Sequence, residues 1–152
     1  MALSAPRYIQ QRADSDLNNF ITLGVKTGTT LYVGGIVCTD STGYAVPGAT
    51  ATGLKAWGIL GRTPLSGPIQ GSVTNSGSSG AISVDVFQGA FYLDNSGSDP
   101  VSITNIGALV YMSDDHTVCA TNGSSTRSVL GEMLGLDPVT GFVLVQIGQA
   151  VE

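Results

Sequence analysis

From Phe20 onward the chain is a series of short apolar runs separated by turn residues, with no sustained helical stripe. Residues 81–87 alternate apolar and polar side chains, which is typical of a half-buried strand. Turn sequences such as residues 40–43 separate the runs, because aspartate accepts a hydrogen bond from the following backbone and glycine tolerates positive φ. About nine such strands predict an all-β fold, a small single-domain β-barrel or β-sandwich.

Two segments of the chain have the same order of parts. Residues 31–62 and residues 107–137 each read as strand, tight turn, strand, loop and glycine-rich strand. This pattern predicts two copies of one unit within a body that spans residues 20–152. Paired copies would close a sheet and remove exposed edges.

The glycine-rich strands contain glycines that we expect to be equivalent between the copies. Glycine is tolerated in a strand where another backbone or a large side chain approaches closely. The same close contact should therefore be made twice, and we assign it to contact between subunits. The glycines are Gly58 and Gly61 in the first copy and Gly131 and Gly135 in the second.

Three other segments are less regular. Residues 1–19 are polar and without periodicity, so they are either a frayed terminus or an extended arm that orders on a neighbouring subunit. In the second case Tyr8 and Ile9 would be apolar anchors. Residues 63–80, rich in serine with two prolines, predict a surface excursion. The alternation at 101–104 predicts a strand leading into the second copy.

Composition bears on the partners of the protein. Charged residues make up 11% of the chain, against about 25% in ordinary globular proteins, which favours a subunit of an assembly. The net charge is −5 and the six lysines and arginines form no cluster, so we expect no nucleic-acid partner. The first residues lack the layout of a secretory signal, and no apolar run approaches the roughly 18 residues of a membrane helix. We therefore expect no membrane partner and synthesis in the cytoplasm.

The sequence offers no grouping of residues for catalysis, a metal or a cofactor. His116 is the single histidine and follows two aspartates, so a metal site would need ligands from elsewhere, and an exposed turn histidine is the simpler interpretation. No serine lies in a nucleophile elbow. We therefore predict that the protein is not an enzyme. Cys38 and Cys119 are predicted to be buried, inert thiols, with a disulfide as the alternative.

Trp57, the single tryptophan, opens the glycine-rich strand of the first copy. It is either an anchor of the core or a residue of the contact between subunits, where tryptophan is enriched. A third possibility is that it stacks on sugars together with Tyr44, Tyr92 and Tyr111.

Glycine and apolar residues recur in a characteristic order in residues 31–37, 49–54 with 57–59, 89–93, 107–114, 130–135 and 143–147. With this pattern the chain resembles the small decoration proteins, or capsid cement proteins, of tailed bacteriophages. The resemblance covers most of the chain from residue 20 to residue 148. It implies a β-barrel or β-tulip-like domain, usually trimeric, that bridges major capsid proteins on the outside of the expanded head. It implies no catalytic residues. The N-terminal arm and residues 63–80 depart from the simplest members.

The resemblance, with which the low charge and the missing catalytic groupings agree, implies a structural virion protein on the capsid exterior, assembled in the host cytoplasm, whose partners are the major capsid protein and further copies in a homotrimer. The alternative is a carbohydrate-binding β domain of a phage fibre or surface adhesin. The residues predicted to contact the capsid are Arg7, Tyr8, Ile9 and Arg12, and those predicted to contact other subunits are Trp57, Gly58, Gly61, Gly131 and Gly135.

Overall fold

The computed structural model of the chain describes residues 2–6, 20–62 and 71–148. Within these ranges the only helical element is one 3-10 turn, and no helix is long and apolar enough to cross a membrane. The structure confirms the predicted all-β fold in a small single domain. The strands are β1 (Phe20–Gly24), β2 (Thr30–Tyr32), β3 (Ile36–Thr39), β4 (Ala45–Pro47), β5 (Lys55–Arg62), β6 (Ser72–Thr74), β7 (Ser83–Phe87), β8 (Gly89–Asn95), β9 (Leu109–Met112), β10 (Thr117–Cys119), β11 (Val129–Leu136) and β12 (Val143–Ile147).

The strands from β8 onward form a closed five-stranded barrel in the order β10-β8-β12-β11-β9. Four of its five pairings are antiparallel, and the ring closes through a parallel pair of β10 with β8. The parallel pair is short, joining Thr117 to Asp94 and Val118 to Asn95. Closure leaves this half of the molecule without a free sheet edge.

The earlier strands form a five-stranded sheet in the order β1-β7-β5-β3-β4, to which β2 and β6 add a separate two-stranded sheet. One isolated parallel bridge joins Val25, directly after β1, to Ala45 in β4. This bridge connects the two ends of the strand order, so the sheet curls almost into a second barrel.

The two halves share one topology. The correspondence follows the chain: the first strand of each half is β1 or β8, and it is followed by β3 or β9, β4 or β10, β5 or β11, and β7 or β12. The pairing register also agrees between corresponding strand pairs. For example, Val37 faces Gly58 in one half, as Val110 faces Gly131 in the other. We call residues 20–87 the first unit and residues 89–147 the second unit. Only Gln88 lies between them.

The two units share a hydrophobic core. The larger cluster of buried side chains joins Ile36, Cys38 and Ile59 of the first unit to residues of the barrel such as Met133 and Val145. A second cluster, around Leu60 and Val86, lies within the first unit. Full burial of each such aliphatic side chain contributes about 1.5–3 kcal/mol. The shared cluster therefore stabilises the packing of the two units against each other.

Two local predictions from the sequence are wrong. Residues 103–105 form a 3-10 helix in place of a strand, because the Ser102 hydroxyl and the Asn105 side chain cap each other's backbone N–H groups. Such local hydrogen bonds compete with strand pairing. The predicted excursion at 63–80 contains a strand, since β6 pairs with β2. Its residues 63–70 lie outside the described residues.

The N-terminal residues 2–6 lie against the body. The backbone N–H of Leu3 donates to Asp115 Oδ1 at 2.7 Å, and the Pro6 ring packs so closely on Gly71 that a Cβ there would be 2.1 Å from its Cγ. The residues predicted to contact the capsid, Arg7, Tyr8, Ile9 and Arg12, lie outside the described residues. Their role remains a prediction.

Candidate interaction site

An open groove of about 670 Å³ lies where the beginnings of β5 and β11 approach each other. It runs between the two units and is lined mainly by apolar groups. Two of its side chains are unusually exposed for their type, Leu109 at 48% and Val129 at 40%. The remaining lining comes from Leu54, Lys55, Ala56, Trp57, Leu130, Gly131, Gln146 and Gly148.

Equivalent positions of the two units line the groove. The pairing of β5 with β3 skips Trp57, and the pairing of β11 with β9 skips Leu130, so each is the extra residue of a β-bulge. A bulge bends its strand and changes the direction of its side chains. The same irregularity in both units therefore shapes the two walls.

The glycine after each bulge is required by the chain's own packing. A Cβ on Gly58 would lie 2.1 Å from the carbonyl oxygen of Phe87, and a Cβ on Gly131 would lie 2.0 Å from that of Gln146. Phe87 and Gln146 are equivalent in the two registers. The close approach inferred from the sequence is thus made twice, within one molecule. The predicted contact of these glycines with another subunit remains a prediction.

Gly61 and Gly135 are not equivalent, contrary to the sequence pattern. A second bulge skips Gly61 in β5, whereas the matching irregularity of β11 skips Leu134. A Cβ on Gly61 would meet the Phe87 ring at 1.9 Å, while the nearest atom to one on Gly135 is 3.9 Å away. Neither glycine lines the groove.

Trp57 belongs both to the core and to the groove. Its partly buried ring packs against the core of the first unit, and its Nε1–H donates to Thr39 Oγ1 at 2.8 Å. The Lys55 ammonium lies 4.5 Å from the ring centroid, a cation–π contact. No described carboxylate pairs with Lys55, whereas Lys26 pairs with Asp40 and Arg127 with Asp99.

The four aromatic residues considered for sugar stacking do not line one groove. Only Trp57 lines the groove. The Tyr44 ring packs over Gly24 and Gly80 of its own unit. Tyr92 and Tyr111 lie on β8 and β9, which are separated in the barrel by β10 on one side and by β12 and β11 on the other.

The turn Asp114-Asp115-His116 lies at the contact between the units. The expectation of an exposed histidine is wrong, because His116 is only partly exposed and both aspartates are buried. His116 Nδ1 lies 3.0 Å from Asp115 Oδ1, and the Asp115 carbonyl accepts from the Ile36 N–H at 2.7 Å. Burial alone would raise the pKa of Asp114. Hydrogen bonds to its carboxylate, among them that from the His116 backbone N–H, hold this pKa below its ordinary value.

Potential metal-binding atoms of these three residues lie within 4.8 Å of one another. The carboxylates, however, accept hydrogen bonds from the Leu3 and His116 backbone N–H groups. The observed contacts give the turn a structural role in joining the N-terminal segment, the first unit and the barrel.

Both cysteines are free and buried, as the sequence predicts. Burial raises the pKa of the Cys38 thiol to about 12, so it is protonated at neutral pH. A protonated, inaccessible thiol is a poor nucleophile. Cys38 therefore serves as a core residue beside Met112.

Comparisons of the chain with protein-family models, with curated protein sequences and with solved structures found no match.

Proposed function

We propose that the protein is a structural virion protein that binds the outer surface of a phage capsid, bridges neighbouring major capsid proteins and stabilises the expanded head. The observation that carries this proposal is the groove, whose exposed apolar side chains and single charged group suit contact between copies of the chain in an assembly of this kind. Tryptophan, which lines the groove, is enriched among the residues that dominate protein–protein contacts. The family resemblance of the sequence supports the same role.

The charge and shape of the body fit such a role. A cement protein gains affinity by engaging several capsid subunits at once, so it needs a stiff body more than a deep pocket. The barrel, the shared core and the low charge meet that need. In the proposed homotrimer, the groove with Trp57 is the surface for contact between copies, and residues 7–12 contact the capsid.

Sedimentation of the protein with expanded, undecorated phage heads tests the proposal. Saturable binding at a fixed ratio to the major capsid protein is the expected result. Absence of co-sedimentation at saturating protein would contradict it.

The contribution of the N-terminal segment is tested by replacing Arg7 and Arg12 with glutamate and Tyr8 and Ile9 with alanine. Deleting residues 1–19 would also remove Leu3 and Pro6, which contact the body. The substitutions avoid that loss. Weaker head binding with an unchanged unfolding midpoint is expected, and unchanged binding would exclude these four residues as the capsid contact.

The carbohydrate-binding alternative has one observation in its favour, the Trp57 ring in an open groove. Aromatic rings offer flat apolar faces to sugars. Binding of the intact chain to a glycan array, lost on Trp57→Ala, would favour this alternative over the capsid proposal. Retention of head binding without glycan binding would exclude it.

A further inference from the structure

The hairpin between β11 and β12 ends in an exposed apolar tip. Val139 is 91% exposed, the most exposed large apolar residue of the described chain, and Phe142 beside it is 38% exposed. Pro138 and Val139 project at the turn of this hairpin. Nothing in the described part of the chain covers them.

The tip is held in one shape. The Asp137 carboxylate accepts the Val139 N–H at 2.8 Å, the Gly141 N–H donates to the Asp137 carbonyl at 2.9 Å, and the Asp137 N–H donates to the Phe142 carbonyl at 2.8 Å. Gly141 supplies the positive φ that the turn needs. An ordered tip loses little conformational entropy when it binds, which favours its use as a contact.

The groove lies at the other end of the same hairpin. Val129, at the start of β11, and Gln146 and Gly148, at the end of β12, line it. The eight residues of β11 separate the two ends by about 25 Å at the rise of a strand. The tip therefore cannot enter the groove of its own molecule.

The charges of the two surfaces are complementary. Lys55 lines the groove without an acidic partner among the described residues. Asp137 lies two residues before Val139, and hydrogen bonds from the Val139 backbone N–H and from the side chain and backbone of Thr140 hold its pKa below the ordinary value, so it is ionised at neutral pH. Its carboxylate meets only its own turn, with no described cation beside it.

We propose that the β11–β12 tip of one molecule docks in the groove of a second copy, with Val139 against Leu109, Val129 and Trp57, and with Asp137 beside Lys55. The contact joins two different surfaces, so it is heterologous, and repeated head-to-tail contacts close into a ring when the rotation allows. This inference specifies the contact between copies in the proposed homotrimer. That the contacts close into a ring of three rests on the proposed function. The docking itself concerns only copies of this chain.

Sedimentation velocity on the intact protein, without capsids, tests the docking. Val139→Asp changes a side chain that supports no core, and Leu109→Asp changes the facing wall of the groove. Each should raise the dissociation constant between copies by about tenfold or more, equal to 1.4 kcal/mol per factor of ten. Ile103→Asp is the matched control, because Ile103 is 70% exposed and belongs to neither surface. It should leave assembly unchanged.

The pairing itself is tested by carbodiimide coupling of mixed isotope-labelled and unlabelled protein. A Lys55–Asp137 cross-linked peptide carrying one labelled and one unlabelled half is expected by mass spectrometry. Lys55→Arg should remove the cross-link and retain the assembly, because arginine keeps the charge without a reactive amine.

A monomeric wild-type protein, assembly that withstands both Val139→Asp and Leu109→Asp, or equal loss in the Ile103→Asp control would overturn the proposal. Because the assay contains no heads, its failure is separate from failure of the capsid proposal. Assembly without head binding would overturn only the latter.

Discussion

The first and second units have the same strand order and register, yet they close differently. The second unit closes through the two residue pairs of β10 and β8, whereas the first closes through the single bridge between Val25 and Ala45. The equivalent of Val25 in the second unit is Asn95, whose side-chain amide accepts the Val101 N–H at 2.9 Å and donates to the Val101 carbonyl at 3.0 Å.

The first unit obtains a comparable amide from a different part of the chain. Asn75, which follows β6, donates from Nδ2 to the carbonyls of Val25 and Ser78, both at 2.8 Å. A buried backbone group at the closing junction must be hydrogen-bonded, but the side chain that bonds it can come from any part of the chain. The two units therefore repeat the same topology, but the polar side chains that bond the backbone at the closing junction come from non-equivalent positions.

The largest expected effect comes from the two equivalent glycines. Gly58→Ala and Gly131→Ala each force a Cβ against a backbone carbonyl, and each should lower the free energy of unfolding by about 3 kcal/mol, as overpacking does. Denaturant unfolding of both variants measures this loss. Gly135→Ala, with its nearest atom at 3.9 Å, is the control and should change stability by less than about 0.5 kcal/mol. Tolerance of alanine at one glycine alone would show that the units are not equivalent at this contact.

A smaller and more local effect is expected from Asn75→Ala. The change removes three hydrogen bonds of the Asn75 side chain, those to the Val25 and Ser78 carbonyls and that from the Gly77 N–H, and should cost about 2 kcal/mol. Hydrogen exchange should accelerate at the Lys26 amide, which donates to Ala45, and remain unchanged at the Ser96 amide, which donates to Val118 in the barrel.

Asn122→Ala, in an exposed loop of the second unit, is the control for this local effect. Equal acceleration at the Lys26 and Ser96 amides in Asn75→Ala would mean that the units open together. That result would contradict separate closure.

The smallest effect concerns acid sensitivity of the first unit. A hydrogen bond from Lys26, at 2.5 Å, and further bonds from Thr42 lower the pKa of Asp40 from 3.8 to about 2. Because the folded pKa is depressed, the stabilisation is present above pH 3.8 and is lost as pH falls toward 2. Denaturant unfolding at several pH values should show that the free energy of unfolding falls less steeply with decreasing pH in Asp40→Asn than in the wild type. Lys26→Met should act in the same direction, and an unchanged slope in both variants would contradict this assignment.

The sequence predicts most strands of the body because their apolar residues occur in short runs bounded by turns. It does not predict the parallel pair of β10 with β8, because that pairing joins strands distant in the chain through few residues. The three-residue β6 has no alternation long enough to separate it from a serine-rich loop. The alternation at 101–104 is equally short, and side-chain capping there favours a 3-10 helix over a strand.

The candidate site was predictable only in part. Glycines within apolar strands indicate a close approach, which identifies Gly58 and Gly131. Gly61 and Gly135 are not equivalent because Gly61 lies three positions after Gly58, whereas Gly135 lies four positions after Gly131, so Leu134 takes the place of Gly61 in the matching bulge. Alternation shows that Leu109 and Tyr111 share a face but does not show that this face lies outside the barrel. The position of Val139 between turn residues indicates that it is exposed. Its distance from the groove follows only from the three-dimensional fold.

Gln88 alone joins β7 to β8, and its side-chain amide donates to the Gly148 carbonyl at 2.7 Å beyond the end of β12. The junction therefore has no slack that could act as a hinge. Tension applied between the units passes directly into the antiparallel β1–β7 and β8–β12 ladders, in which several hydrogen bonds share the load. In mechanical terms the molecule is short and stiff, so it resists extension when its two units are pulled apart.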